Sequence, residues 1–580
     1  MKSVQDRVQA LLDAYPVWPR RTIAGHFDEA VKKYQNRTLV FTLEKEYTYA
    51  EMQERSDLLA RGLLALGIRP REHVALLMGN YPEFIISKLA LTKIGAVCVP
   101  LNTMLLEREL AFLLEDSDVV ALIFNDSLGK NNYVDIIGRI CSELTVQPDG
   151  INVSCAALPR LRNVICFSAN DSIYDDLMSF NDLYRLGEGI SPDELQRVRQ
   201  ATEYPDDICD IMYTSGTTSL PKGAMMSHDM LLRSSYAACL TRAVEDGRRI
   251  YFPLPLYHIF AYELGLLVVT FVGGAIVTHA QFTPREALEL MEKSRANDFL
   301  CVPSILLAVL NHPDLKKHDL SSLHATMCGA TPAPVPLWQR AVDELNLQEM
   351  CAGYGMTEVS GASTITSPGD PVEVMATRVG RLVMANCSGL PEFGNRNIQY
   401  KVVDPFTGKE LPPGEEGEWV CRGNMVTRGY YKRPQENVEL IDKDGWLRTG
   451  DLGIIHPDGL FQITGRSKEI YKISGENVSP KEVEEVISTH PKVNQVYVLG
   501  VPDRNMGEVG VAFIELKPGE ESTRREIVGY CKGKLARFKI PHHIFFTSSS
   551  ELPFTSSGKI KKYKLAERAL SLLEKDGKKS

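Results

Sequence analysis

Tyr213-Thr-Ser-Gly-Thr-Thr-Ser-Leu-Pro-Lys222-Gly223 is the stretch on which the reading of this chain turns. From Thr214 to Gly223 it sets five hydroxyl side chains, two glycines and one lysine into ten residues. Such a segment contributes little to a core. It offers backbone N–H groups, hydroxyl donors and one positive charge, a set suited to a polyphosphate. It is not a Walker A loop, because Lys222 follows Pro221 and precedes Gly223 where that motif has Gly-Lys-[Ser/Thr]. Clusters of Ser, Thr and Gly also make ordinary surface turns, so the loop needs partners elsewhere in the chain.

The rest of the sequence bounds what those partners serve. The chain has 580 residues, enough for roughly three to five structural units. Hydrophobic residues make up 44% and charged residues 24%, the balance of a globular protein in water. A net charge of −9 argues against nucleic acid as the main partner. The charge is uneven: residues 531–580 hold 12 Lys/Arg against 4 Asp/Glu, a local +8, which leaves −17 for the remainder. A basic C-terminal lobe attracts phosphates on a small ligand, although a solvated tail accounts equally well for the last ten residues. The twelve cysteines are scattered as singles, with no Cys-x-x-Cys and no Cys/His cluster, which predicts reduced thiols, no zinc site and a cytoplasmic location. The N-terminal Met-Lys-Ser-Val-Gln-Asp-Arg-Val has no apolar run, so no signal peptide is expected. One mostly apolar stretch, 259–277, contains Glu263 and the break Gly273-Gly274. It reads as a buried helix, a glycine turn and a short strand over 275–278 rather than a membrane span.

Outward from the loop, strand-like runs alternate with helix-period segments. His73–Met78, Ala96–Pro100, Val119–Phe124 and Asn163–Phe167 are strand candidates, and 82–94 is a helix with Pro82 in its first turn. Apolar strands with helices between them predict a largely parallel α/β sheet. From 397 to 464 the chain turns rich in Pro-Gly and Asp-Gly turns, with strands near 399–403 and 418–421, which predicts a small β-subdomain. Beyond Arg466 comes an α+β lobe. Its clearest helix is 480–488, with Ser479 as N-cap, Pro480 at the first position and Glu482 in the first turn. The expected division is an N-terminal domain over 1–464, its β-rich part at about 381–464, and a C-terminal domain over 465–580.

Six further signals follow the loop in order: Pro253-Leu-Pro-Leu-Tyr-His258, Gly353-Tyr-Gly-Met-Thr-Glu358, Gly445-Trp-Leu-Arg-Thr-Gly-Asp451, Gly465-Arg-Ser-Lys-Glu469, Ser474-Gly-Glu-Asn-Val478 and Ser557-Gly-Lys559. Together they resemble the adenylate-forming superfamily of acyl-CoA synthetases, adenylation domains and luciferases, over roughly residues 20–565. The resemblance implies a large N-terminal domain of α/β subdomains with a small β-barrel-like subdomain, followed by a mobile α+β C-terminal domain. It implies ATP, Mg²⁺ and CoA as reactants and cofactors, with an acyl-AMP formed from a carboxylic acid and then passed to a thiol.

Residue by residue, the resemblance implies that Thr214, Ser215, Gly216, Thr217, Thr218 and Lys222 cradle the β- and γ-phosphates. Ser219 stands where most members carry glycine. Gly329, Ala330 and Thr331 would wall the adenine, with Cys328 where relatives have glycine, and Tyr354, Gly355 and Met356 would complete that site. Thr357 and Glu358 would meet the α-phosphate and Mg²⁺, a hard cation that takes carboxylate and phosphate oxygens. Asp451 and Arg466 would hold the ribose hydroxyls. Lys559 would bridge the substrate carboxylate and the α-phosphate. Lys468 stands at the expected hinge, and Lys472, Ser474, Gly475 and Glu476 would face CoA after rotation. His258 would form a wall or gate near the acyl and thiol sites rather than a general base.

The acid itself is expected to be hydrophobic, a medium-chain fatty acid or an aryl acid. The segments 252–264, 302–307, 328–332 and 359–364 are mostly apolar and hold no Arg or Lys. Transfer to a carrier protein, and a non-catalytic nucleotide or acyl-AMP sensor, are the alternatives to a CoA ligase. A homodimer is the expected assembly, with no nucleic acid partner and no transmembrane segment.

Overall fold

The computed structural model describes residues 2–146, 152–174, 177–214, 221–473, 476–503, 506–554 and 560–577. Contacts divide the chain into two compact units. The larger runs to Gln399 and takes back Arg422–Gly445; the smaller holds Tyr400–Cys421 and the chain from Trp446.

The larger unit shows the predicted alternation. His73–Leu77, Val97–Pro100, Val119–Asn125 and Asn163–Phe167 are strands, and Pro82–Lys93 is a helix. They belong to a seven-stranded sheet in the order Met178–Ser179, Asn163–Phe167, Val119–Asn125, His73–Leu77, Val97–Pro100, Ile208–Thr214, Lys222–Ser227. Neighbours pair in parallel except the last two, which are antiparallel. Every residue of Val119–Asn125 and Val97–Pro100 is buried, which is why these strands carry continuous apolar runs rather than alternation. The helix Pro82–Lys93 is buried everywhere but Glu83, so it shows no polar face. Its Lys88 forms an ion pair with Asp210, both fully buried, on the strand that leads into the loop. Removing one partner of such a pair is far more damaging than the pair is stabilising.

A second seven-stranded sheet runs Glu349–Cys351, Ala325–Cys328, Asp298–Cys301, Arg249–Tyr251, Ala275–Val277, Thr38–Phe41, Glu46–Thr48, with only the last pair antiparallel. The apolar stretch at 259–277 feeds this sheet as expected. It is a helix over 259–271 with a π-helical turn at Tyr262–Leu267, followed by the strand Ala275–Val277. Among the described residues no helix is long and apolar enough to cross a membrane.

The smaller unit carries most of a four-stranded sheet ordered Ile398–Val403, Glu416–Gly423, Leu447–Ile455, Phe461–Arg466. Trp419 is fully buried in it, edge-on to Tyr400 and Phe461. After it come the helix Pro480–Ser488, the long antiparallel pair Val493–Asp503 and Gly507–Leu516, and His543–Phe546 parallel to the latter. Ser479 occupies the predicted N-cap position but makes no capping bond. Its hydroxyl donates instead to the Thr464 carbonyl at 3.1 Å, a tertiary partner that outcompetes the local one.

Candidate active site

The ends of the phosphate-loop candidate sit on a hairpin. Ile208–Thr214 and Lys222–Ser227 are antiparallel with Thr214 opposite Lys222, and Thr214 Oγ1 donates to the Lys222 carbonyl at 3.4 Å. A Walker loop joins a strand to a helix; this one joins two strands. Ser215, Gly216, Thr217, Thr218 and Ser219 lie outside the described residues. The segment 427–431 runs beside the second strand, with Met225 N–H donating to the Gly429 carbonyl at 3.0 Å and Tyr431 N–H to the Gly223 carbonyl at 2.8 Å. That places the Tyr430 ring centroid 5.3 Å from Lys222 Nζ, within range of a cation–π contact.

Tyr430 also reaches Glu358, its hydroxyl donating to Glu358 Oε1 at 2.6 Å. Glu358 is 6% exposed, in the 3₁₀ turn Thr357–Val359 that follows the strand Gly353–Met356. Its carbonyl accepts from Thr427 N–H at 2.8 Å. Burial and the nearby Glu358 charge push the Tyr430 phenol well above its usual range, so it stays a neutral donor. The turn passes through Ser360 (φ 60°) and Gly361 (φ 104°) into Gly361–Ile365, antiparallel to Gly353–Met356. A Cβ at Gly355 would lie 1.7 Å from the Gly361 carbonyl oxygen, so only glycine lets these strands close. Tyr430 was missed by sequence reasoning. Its mark there is the short Gly429-Tyr-Tyr431, which by itself points nowhere.

The remaining residues of the larger unit fall nearby in the fold. Tyr354 is 7% exposed with its hydroxyl donating to Met356 Sδ at 3.9 Å, while Gly355 is exposed. The strand Ala325–Cys328 ends at Gly329, whose N–H donates to the Cys301 carbonyl at 3.2 Å. Ala330 takes φ 69° and is exposed with Thr331. Phe260 lies against Gly329, where a Cβ would stand 3.3 Å from its ring. Phe260 N–H donates to His258 Nδ1 at 3.2 Å, so His258 caps the helix that leans on the Gly329 wall.

In the smaller unit Asp451 and Arg466 stand opposite each other on Leu447–Ile455 and Phe461–Arg466. Arg466 Nε meets Asp451 Oδ1 at 2.9 Å, with side-chain exposures of 45% and 6%. Asp451 N–H donates to Thr449 Oγ1 at 3.1 Å, which itself donates to the Trp419 carbonyl at 2.7 Å. Lys468 lies in the 3₁₀ turn Ser467–Glu469. Glu469 of that turn and Glu484 both accept from Lys562 Nζ, at 2.7 and 3.0 Å. Lys472 is exposed, its Nζ 5.4 Å from the Phe406 ring centroid and its N–H donating to Glu508 Oε2 at 2.8 Å. Ser474 and Gly475 lie outside the described residues, between the paired Ile473 and Glu476. Lys559 also lies outside them, in the segment between the bridged residues Phe554 and Ile560.

Among the described residues no group of three His, Cys, Asp or Glu forms a metal cage. A single buried carboxylate with one oxygen oriented by Tyr430 fits Mg²⁺ that arrives with phosphate oxygens, the usual way this ion is held.

The chain matches the model described as AMP-binding enzyme over residues 27–431, and that described as AMP-binding enzyme C-terminal domain over 482–559. It is 34% identical over 555 residues to the Bacillus subtilis (strain 168) protein YngI, covering 95% of this chain and 97% of that one. It is 32% identical over 553 residues to the Danio rerio medium-chain acyl-CoA ligase ACSF2, mitochondrial, covering 94% and 88%. The solved structure of the anthranilate CoA ligase AuaEII in complex with anthranoyl-AMP superposes with a TM-score of 0.79 at 25% identity, covering 98% and 99%.

Proposed function

The chain belongs to the AMP-binding enzyme family, as an AMP-forming acid–CoA ligase of the adenylate-forming superfamily, and on that premise we propose how its residues divide the reaction and which acids it takes. ATP and a carboxylic acid give acyl-AMP and pyrophosphate; the CoA thiol then takes the acyl group and AMP leaves. The first step brings two anions together, so the protein's task is to neutralise phosphate charge and hold the reactants in line. The observation that carries the reading is Glu358, buried yet gripped by Tyr430, whose ring also receives Lys222.

Lys222 and the loop 214–218 take the β- and γ-phosphates, the leaving group. Thr357 donates to the α-phosphate. Glu358 holds Mg²⁺, which supplies charge neutralisation at the phosphates when bound. Tyr354, Gly355, Met356 and Gly329–Thr331 border the adenine. Asp451 accepts from the ribose hydroxyls, oriented by Arg466. Lys559 meets the attacking carboxylate and the α-phosphate. Lys468 is the hinge that exchanges this arrangement for one in which Lys472, Ser474, Gly475 and Glu476 face the pantetheine arm, with His258 between acyl and thiol sites.

The acid is a medium-chain fatty acid or an aryl acid, as the apolar character of 252–264, 302–307 and 359–364 favours. Two relatives named above, for medium-chain and anthranilate substrates, support it. Free thiols, buried except for Cys387, suit a reducing compartment such as the cytoplasm, and light scattering would show whether the chain is the homodimer proposed. The deciding experiment incubates the protein with ATP, Mg²⁺, CoA and a panel of straight-chain, benzoic and anthranilic acids. AMP and pyrophosphate should form only with acid present, and AMP turnover should require CoA. AMP release independent of CoA, or none with any acid, overturns the reading.

A further inference from the structure

Glu263 is an ionisable side chain that the reaction above does not use, and it is fully buried beneath the turn that presents Thr357 and Glu358. It stands in the π-helical turn Tyr262–Leu267, a local widening of a helix that recurs at functional sites. Ser234, on the helix His228–Thr241, has its hydroxyl 3.0 Å from Glu263 Oε1 and 3.0 Å from the Ser360 carbonyl. A Cβ at Gly361 would fall 2.3 Å from Glu263 Oε2, so the glycine that ends the turn is also what lets the carboxyl approach it.

A hydroxyl carries one proton. If Glu263 were a carboxylate, Ser234 would face two acceptors and could satisfy only one. If Glu263 is a carboxylic acid, its O–H donates to Ser234 Oγ, and Ser234 donates to the Ser360 carbonyl. The chain Glu263–Ser234–Ser360 then closes without a conflict. Ser360 continues upward, its N–H donating to the Thr357 carbonyl at 3.1 Å and its hydroxyl to the Met425 carbonyl at 2.8 Å.

We propose that Glu263, as a neutral carboxylic acid, is a positioning residue for adenylation, holding the Thr357–Glu358 turn in place through Ser234 and Ser360. The proposal rests on the adenylation role assigned to that turn. Burial supports the protonation state, pushing the carboxyl up to about 8 against smaller lowering by Ser234, the Ala362 N–H and Arg242. Around it, Arg242 meets both oxygens of Asp298 through Nη2 alone, at 2.8 and 2.6 Å, its Nε and Nη1 having no hydrogen-bond partner among the described residues, and the Cys239 thiol is itself pushed up by burial. The flanking pieces Ile259–Ala261, Val268–Phe271, Ala275–Val277 and Gly361–Ile365 contain no ionisable side chain.

The test compares wild type with Glu263→Gln, Glu263→Ala and Ser234→Ala. Gln donates to Ser234 as the acid does but cannot ionise. The pH profile of kcat for acid-dependent pyrophosphate release should fall about tenfold in wild type between about pH 7 and 9.5, and stay level in Glu263→Gln, whose kcat at about pH 7 is within about threefold of wild type. Glu263→Ala and Ser234→Ala should each lose about tenfold in kcat with a smaller change in KM for ATP. Calorimetry of Mg²⁺·ATP binding, which needs no acid substrate, should show the same ordering. The same alkaline limb in Glu263→Gln, or wild-type kcat and ATP affinity in Ser234→Ala, overturns the proposal. If no acid supports turnover at any pH, the functional reading fails while the calorimetric comparison still decides this one.

Discussion

The Tyr430 hydroxyl and the Glu358 carboxylate are joined at 2.6 Å, although 72 positions separate them in sequence. The bond fixes one oxygen of the carboxylate and the rotamer of its side chain. Because Lys222 lies over the same ring, Tyr430 links the residue proposed to take the pyrophosphate to the one proposed to hold the metal.

Tyr430→Phe keeps the ring and removes only that bond. A hydrogen bond to a charged group contributes about 1.5–3 kcal/mol, which corresponds to roughly 10–100-fold. The expected outcome is a fall of that size in the rate of acyl-AMP formation, with the apparent affinity for ATP changed far less. Rapid-quench measurement of acyl-AMP checks it; an unchanged rate means that Glu358 is oriented by other contacts.

If Asp451 holds the ribose as proposed, Asp451→Asn should raise KM for ATP about tenfold or more and leave KM for CoA unchanged, since an amide accepts less strongly from hydroxyls than a carboxylate. Arg466 is 45% exposed, so loss of its ion pair should cost only about 0–1 kcal/mol of stability. Thermal unfolding of the variant beside its kinetics separates the two effects.

Lys559→Ala should abolish most acyl-AMP formation while thioester formation from supplied acyl-AMP survives. Equal loss in both half-reactions would argue against a C-terminal lobe that changes its arrangement between them.

Glu263 makes stability depend on pH in a definite direction. Its carboxyl is raised from 4.5 to about 8 in the fold, so between those values the folded chain binds the extra proton. Wild-type stability should therefore decline as pH rises through this window and level off above it. Glu263→Gln removes this contribution, and the difference between the two curves should amount to a few kcal/mol. Chemical denaturation of both proteins at a series of pH values measures it; parallel curves would mean that the carboxyl is ionised in the native state.

Much of the fold was legible because burial writes itself locally. Strands covered on both faces carry nearly continuous apolar runs, so Val119–Asn125 and Asn163–Phe167, apolar but for one terminal asparagine each, stand out from their own residues. The helix Pro480–Ser488 likewise announces its start by its proline and its acidic first turn. Asp451 and Arg466 were both singled out, yet nothing in their spacing says that they face each other across two strands.

By itself the sequence determined the largely parallel α/β architecture and the ordered set of polar motifs, because periodicity and loop chemistry are properties of short segments. Partnership is not. Tyr430 on Glu358, Ser234 between Glu263 and Ser360, the Ser479 hydroxyl turned to Thr464, and Cys141 Sγ at 2.7 Å from Cys155 Sγ all join segments that meet only when the chain packs. Which buried polar group finds which partner depends on long-range approach, and the large majority of buried polar groups find one. The tertiary structure alone therefore decided how Glu358 is held, and placed a buried acid beneath the turn that carries it.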